Sequence, residues 1–195
     1  MTKYLLPLFL VCGSCAAGIV FQKEVITATI ASCDTLEIQG IYFFVNSDTS
    51  AMSAVVHYPF PVDTALEYPH HVAVVRLSNR QHTPYVQTQT GITWQEFIPP
   101  RSTDSIQVVY RQKALHPNGR YILTTTQNWK RPLERADFIV VTPTGITLKY
   151  WSFQSDSVNM RNGNIIYRSL QTNFLPERDM LLEWNCEKAS VNKSR

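Results

Sequence analysis

The chain has 195 residues, a formal net charge of +3, and 44% hydrophobic against 17% charged residues. A balance this close to neutral leaves no electrostatic footprint for nucleic-acid binding. The length is enough to bury a sizeable core.

The N-terminus, "MTKYLLPLFLVCGSCAAG", opens with Lys3, continues as an apolar run from Tyr4 to Cys12, and exits through small residues. That is the layout of a secretory signal peptide, predicted over residues 1–17. The run is too short to span a bilayer, which takes about 20 apolar residues. Pro7 argues against a buried strand. A lipid anchor at Cys15 is the rival reading: Gly13 and Ser14 suit it, but Cys12 stands where a branched aliphatic residue is usual. Export predicts a periplasmic or extracellular protein. Loss of Lys3 with the signal takes the charge from +3 to +2. The mature chain of about 178 residues is predicted to form one domain over 18–186. A polar tail, 187–195, follows and carries a weak glycosylation pattern, "NKS".

Of four cysteines, Cys12 and Cys15 fall inside the signal, so their C-x-x-C spacing is not read as a redox or metal motif. Cys33 and Cys186 remain. An even pair in an exported chain predicts a disulfide. It would close a loop of about 150 residues and contribute a few kcal/mol. Two separate buried thiols are the alternative.

The mature chain then reads as strand almost throughout. "VITATI" (25–30) is rich in β-branched residues, and "LEIQGIYFFV" (36–45) alternates before turning apolar on both faces. "MSAVVHY" (52–58) stops at Pro59 and Pro61, which cannot continue a central strand. "HVAVVRL" (71–77) leads into the turn cluster "SNRQHTP". "ITWQEFI" (92–98) places Ile92, Trp94 and Glu96 on one face. "SIQVVY" (105–110) alternates, and "HPNG" (116–119) predicts a tight hairpin that returns "YILTTT" (121–126) antiparallel to it. "ADFIVVT" (136–142) and "GITLKYWSF" (145–153) flank a "PTG" turn. "IIYRSL" (165–170) follows "NGN", and "MLLEW" (180–184) closes the fold. The best helical candidate is "PLERA" (132–136), where Pro132 suits a first turn. Ten or more short strands with regular turns predict an all-β, mostly antiparallel, Ig-like β-sandwich with at most one short helical turn.

Chemistry-bearing patterns are sparse. There is no G-x-S-x-G and no cysteine in a nucleophile setting. The five histidines are His57, His70, His71, His82 and His116. His70 and His71 are adjacent, and adjacent strand residues point to opposite faces, so they do not share an ion. Phosphate-binding glycine loops are absent. No catalytic residue, metal ligand or cofactor is therefore assigned. Glycoside cleavage needs two acids across a groove. Glu96, Asp104, Glu134, Asp137, Asp156, Glu177, Asp179 and Glu183 are available, but spacing selects no pair. Exposed aromatics are the remaining signal. Alternation in "GITLKYWSF" puts Trp151 and Phe153 with Thr147 and Lys149, on a face expected to be wet. Trp129, Trp151, Lys130 and Arg131 could form a platform for a sugar ring. Against that, Trp129 and Leu133 could cap the core, leaving Lys130, Arg131 and Arg135 as a solvated rim. In the second reading "TTTQNWKRPLERADF" (124–138) is a corner between two sheets.

The succession "GIYFFVN", "VVHYPFPVD", "SIQVVYRQ", "RYILTTTQNWKRPLERADFIV" and "NFLPERDMLLEW" resembles a family of exported bacterial β-sandwich proteins with no established activity. The resemblance runs from Leu36 to Trp184 and is most specific at "YPFP" and "YxLTT…W…PLxxAxF". It implies a fold and an exported location, and no catalytic residues to carry over. The leading expectation is a non-enzymatic envelope protein acting as a structural or binding module, with another envelope protein or a glycan as its partner. The alternatives are a carbohydrate-binding module using Trp129 and Trp151, and a hydrolase with a carboxylate pair.

Overall fold

The structure, a computed structural model, describes residues 18–186. The predicted signal segment, with Cys12 and Cys15, and the tail from 187 onward lie outside the described residues. Within them the chain is all-β. In order, the strands are β1 (Ile19–Ser32), β2 (Thr35–Asn46), β3 (Met52–Pro59), β4 (His70–Arg76), β5 (Gln81–His82), β6 (Val86–Gln87) and β7 (Gly91–Ile98). They continue as β8 (Ser102–Lys113), β9 (Asn118–Tyr121), β10 (Leu133–Pro143), β11 (Ile146–Trp151), β12 (Ser157–Arg161), β13 (Asn164–Phe174) and β14 (Met180–Cys186). A single 3-10 helix, Thr124–Trp129, lies between β9 and β10.

Eight strands form one large sheet in the order β12-β13-β10-β1-β2-β8-β4-β5. Two three-stranded sheets, β11-β14-β9 and β3-β7-β6, make up the facing layer of a sandwich-like arrangement. Pairing is antiparallel except between β1 and β10, which run parallel in register from Lys23↔Arg135 to Thr29↔Val141. Strict alternation explains the core. In β2, Leu36, Ile38, Tyr42 and Phe44 are buried, while Glu37, Gln39, Ile41 and Phe43 lie on the other face and keep partial exposure. Ile26, Ala28 and Ile30 of β1, Ile106, Val108 and Tyr110 of β8, and Phe138 and Val140 of β10 complete the buried face of the large sheet.

The predicted Cys33–Cys186 disulfide is present, with Cα atoms 5.8 Å apart. It ties the β1–β2 turn of the large sheet to the end of β14 in a small one. Trp184 reinforces the tie by donating Nε1–H to the carbonyl of Cys33 at 3.1 Å.

Three local expectations need correction. "HPNG" does not close a hairpin with β8: β9 pairs with β14 in the facing layer, through Met180↔Tyr121 and Glu183↔Asn118. Gly119 is there for closeness, since a Cβ on it would stand 2.7 Å from Leu36 Cδ2. The two-residue hairpin is formed instead by Asn162 and Gly163, with φ of 51° and 73°. Those positive angles are what a type I′ turn requires. Secondly, "PLERA" is not helical. The helical turn sits upstream and ends at Lys130, whose φ of 55° is a left-handed cap. Pro132 therefore acts as a terminator just past the end, and β10 begins at the buried Leu133. Thirdly, Trp151 does not share a wet face with Lys149. A register shift between Leu148 and Tyr150 marks a bulge in β11, and the extra residue turns Trp151 inward while Tyr150 is left 43% exposed.

Candidate functional site

The segment 124–138 is a corner between layers. It carries the chain from β9 in a small sheet to β10 in the large one. Trp129 is half-buried, its ring 5.7 Å from that of Phe21 and 5.6 Å from that of Phe44. Leu133 is fully buried, and Lys130 and Arg131 are exposed. Trp151 is buried in a different aromatic group, edge-on to Phe153, which in turn stacks on Phe138 at 4.5 Å. Trp129 and Trp151 thus belong to two separate ring clusters.

Of the acids available to a carboxylate pair, Glu96 and Asp104 come together around one cation. Arg76 on β4 bonds Glu96 on β7 at 2.5 Å through one guanidinium nitrogen and Asp104 on β8 through the other. Both carboxylates are buried and Arg76 is only partly exposed. Burial raises the Glu96 carboxyl above its usual range, against the pull of Arg76 and the hydrogen bond from Trp94. Glu96 Oε2 accepts from Trp94 Nε1 at 3.2 Å. This is a pin between layers: an acid on a small sheet is held by an arginine on the large one. The pair faces a cation rather than a groove, whereas cleavage requires carboxylates flanking a substrate. Among the described residues, no group of three His, Cys, Asp or Glu side chains is placed to hold a metal ion.

A second polar feature lies within the core and escapes a reading by alternation. The register of β1 shifts between Phe21 and Lys23. That bulge turns Glu24 inward, opposite Tyr42 on β2 and Ala136 on β10. Glu24 is 2% exposed, and its Oε1 has no hydrogen-bond partner. Desolvation by burial pushes its carboxyl up to about 8. Beside it, Tyr42 Oη hydrogen-bonds Tyr121 Oη at 2.6 Å and Tyr58 Oη at 2.9 Å. Burial raises the hydroxyls of Tyr42, Tyr58, Tyr110 and Tyr121 well above the ordinary phenol range. Such a network joins the large sheet to both small ones. A fully enclosed set of weak acids has no access to substrate.

Exposed apolar surface lies elsewhere, on the outer side of β3-β7-β6. A groove of about 370 Å³ is lined by Val55, Pro84, Tyr85, Val86, Thr93, Trp94 and Gln95. Val55 is 69% and Val86 70% exposed, and Phe97 on the same face is 53% exposed. Pairing explains the cluster: Val55 faces Gln95, Ser53 faces Phe97, and Val86 faces Thr93. Tyr85 is held in place by its hydroxyl, which donates to the carbonyl of Val72 at 3.1 Å. Thr93 Oγ1 contacts His57 Nδ1 at 3.3 Å. Burial lowers the affinity of the His57 ring for a proton. The floor is steadied from below, because Trp94 is bonded to Glu96 and so to the arginine pin. The region is an apolar surface crossed by the polar Thr93 and Gln95 of the central strand. Sequence reading passes over it. Alternation in "MSAVVHY" does set Val55 with Ser53 and His57 on the outer face, but one valine on a polar face is ordinary and signals no site.

No protein-family model matches the chain, and no curated protein matches it. Solved structures do. A candidate nutrient-binding protein from Legionella pneumophila aligns with a TM-score of 0.69 at 15% identity, over 86% of this chain and 67% of its own. An M1 zinc metallopeptidase from Deinococcus radiodurans aligns with a TM-score of 0.50 at 13% identity, over 85% of this chain and 42% of its own. The chain therefore spans well under half of that peptidase. At these identities the likeness is one of fold. The sequence also lacks the His-Glu-x-x-His pattern on which many zinc peptidases hold their metal.

Proposed function

We propose that this chain is an exported, non-enzymatic β-sandwich binding module of the cell envelope, and that its contact surface is the groove on β3-β7-β6. The observation that carries the reading is the clustering of Val55, Val86 and Phe97, each more than half exposed, on one face of a small sheet. Scattered surface aliphatics are ordinary, but contiguous ones mark interaction sites. The ligand class that fits is a small or extended apolar group, such as a hydrophobic peptide side chain, lying across Val55 and Val86 with Thr93 and Gln95 of the central strand between them. A Cys33–Cys186 disulfide suits an oxidising compartment. Among the described residues no helix is long and apolar enough to cross a membrane. The fold neighbour described as a candidate nutrient-binding protein points the same way.

Amide chemical-shift mapping against a panel of short hydrophobic peptides and oligosaccharides tests this. Peptide-induced shifts at Val55, Val86, Thr93 and Gln95 are expected. Val86→Asp is expected to weaken binding by at least about tenfold, equivalent to about 1.4 kcal/mol. Shifts confined to the separate depression lined by Phe153, Phe174 and Arg178 would refute the assignment. So would saturable sugar binding that survives Val86→Asp.

A further inference from the structure

We infer that the free edge of β12 is a self-association surface, where two copies of the chain pair antiparallel about a two-fold axis and join their large sheets. This does not depend on the groove.

The large sheet ends differently on its two sides. One end is β5, only two residues long, and short edges are a usual protection against pairing. The other end is β12, "SVNMR", five residues that are all exposed. It has no proline and no lysine, and its pairing with β13 shows no bulge. Of the devices that normally blunt an edge, proline, lysine and a bulge are missing, and Arg161 at its end is the one charge. Val158 is 55% and Met160 78% exposed. They pair with Tyr167 and Ile165 of β13, which in turn pair with the buried Val140 and Thr142 of β10. Val158 and Met160 therefore extend the apolar inner face of the sheet past the point where the facing layer covers it.

Backbone parity fixes which groups are free. The Asn162-Gly163 turn makes Arg161↔Asn164 its closing pair. In an antiparallel ladder, hydrogen-bonded and non-hydrogen-bonded pairs alternate. Arg161, Asn159 and Ser157 then bond to β13, while the N–H and C=O of Val158 and Met160 point to the open edge. Consistent with this, Gly163 on the other side of the turn bonds to Thr144, as the parity requires.

The edge is self-complementary. With Asn159 on the two-fold axis, Val158 of one copy meets Met160 of the second. Both are outward-facing, so each such pair exchanges two backbone hydrogen bonds, and symmetry doubles them. Val158 and Met160 of both copies form one apolar stripe, and the two Asn159 amides meet on the opposite face. Arg161, the one charged residue of β12, comes opposite Ser157 of the second copy. The two Arg161 residues are then four strand positions apart, about 13 Å at the usual rise. That is beyond the screening length of about 10 Å in 0.1 M salt. No like charges meet in this register. An isologous two-fold contact closes after two copies rather than growing into a fibre.

The test is the mass of the folded chain in solution across a concentration series, by sedimentation equilibrium. A reversible dimer is expected. Val158→Pro is expected to give a monomer with an unchanged circular dichroism spectrum, because the N–H it removes makes no bond within one copy. If that variant does not fold, Val158→Lys serves the same purpose by placing like charges on both strands. Register is read separately by cross-linking under mild oxidation. N159C is expected to form a disulfide-linked dimer, since directly opposed non-hydrogen-bonded residues have Cα atoms about 4.5 Å apart. S157C is not, as its two copies lie about 13 Å apart. A monomer at every concentration overturns the inference. So does a dimer that persists in the folded Val158 variants, or S157C linking as readily as N159C.

Discussion

Replacing Glu24 by glutamine should abolish a specific part of the pH dependence of stability. Glu24 is buried between three strands, and its carboxyl is pushed from 4.5 up to about 8 by loss of solvent. Between these two values the folded protein keeps a proton that the unfolded chain has released. Unfolding is then coupled to proton release, so stability falls as pH rises. Below about pH 4.5 both states are protonated and Glu24 contributes its full share; above about 8 both are ionised and nothing more is lost. Each unit of separation is worth about 1.4 kcal/mol. The loss is therefore about 3 kcal/mol by pH 7 and about 4 kcal/mol by pH 8. Tyr42, Tyr58 and Tyr121 lie near the group, but their raised hydroxyls stay neutral over this range. Glutamine is isosteric and does not titrate. Urea denaturation of the wild type and Glu24→Gln, at half-unit steps from pH 4.5 to 8, gives the difference directly, and groups common to both cancel. The variant's advantage is expected to grow by about 3 kcal/mol between pH 4.5 and 7 at a constant m-value. Parallel curves would refute the reasoning and place the Glu24 carboxyl in contact with water.

Three other perturbations test the packing. Replacing Cys33 and Cys186 together by serine opens a loop with a sequence separation of 153 residues; the chain-entropy relation gives a loss of about 5 kcal/mol, measurable as a lowered denaturation midpoint that added reductant reproduces in the wild type. Arg76→Met leaves Glu96 and Asp104 buried without their shared cation and should cost about 3–5 kcal/mol. Adding Glu96→Gln and Asp104→Asn to Arg76→Met should restore much of that, as the thermal stability of the triple variant beside Arg76→Met would show. Gly40→Ala puts a methyl carbon 1.9 Å from Tyr42 Oη. The displaced ring should break both tyrosine hydrogen bonds and cost about 1–3 kcal/mol, with a change in near-ultraviolet circular dichroism.

Much of the architecture was legible because alternation carries it. Leu36 to Phe44, Ile106 to Tyr110 and Ala136 to Val140 each follow a two-residue period, and the structure buries the face that the period selects. The cysteine pair was legible from its count and the predicted compartment. What failed did so for identifiable reasons. Asn-Gly occurs twice, and the dipeptide cannot tell a turn that needs positive φ, at 162–163, from a glycine at 119 admitted to let Leu36 approach. Pro132 fits the first turn of a helix and the stop after one equally well. The parallel pairing of β1 with β10 joins strands more than a hundred positions apart, and no local pattern encodes that contact.

Trp151, which alternation misplaced, and Glu24, which the strand reading from Val25 did not reach, both lie just beyond a bulge. One added residue shifts the phase of a strand by one, so every position after it changes face. In β1 the shift brings a carboxylate into the core, where a phase-preserving strand would have buried Lys23. In β11 it takes an indole out of solvent and leaves Tyr150 there. The two cases differ in cost. Inverting a tryptophan gains burial, and the sequence on either side tolerates it. Inverting a glutamate needs the proton that Glu24 retains to about pH 8, together with neutral hydroxyl neighbours. A bulge that served curvature alone would be better followed by an apolar residue. The tyrosines that meet beside Glu24 come from the large sheet and from both small ones: Tyr42 from β2, Tyr58 from β3 and Tyr121 from β9. Its position is thus the junction of all three sheets. There a polar network specifies one relative placement of the layers, which apolar packing alone would leave freer to slide.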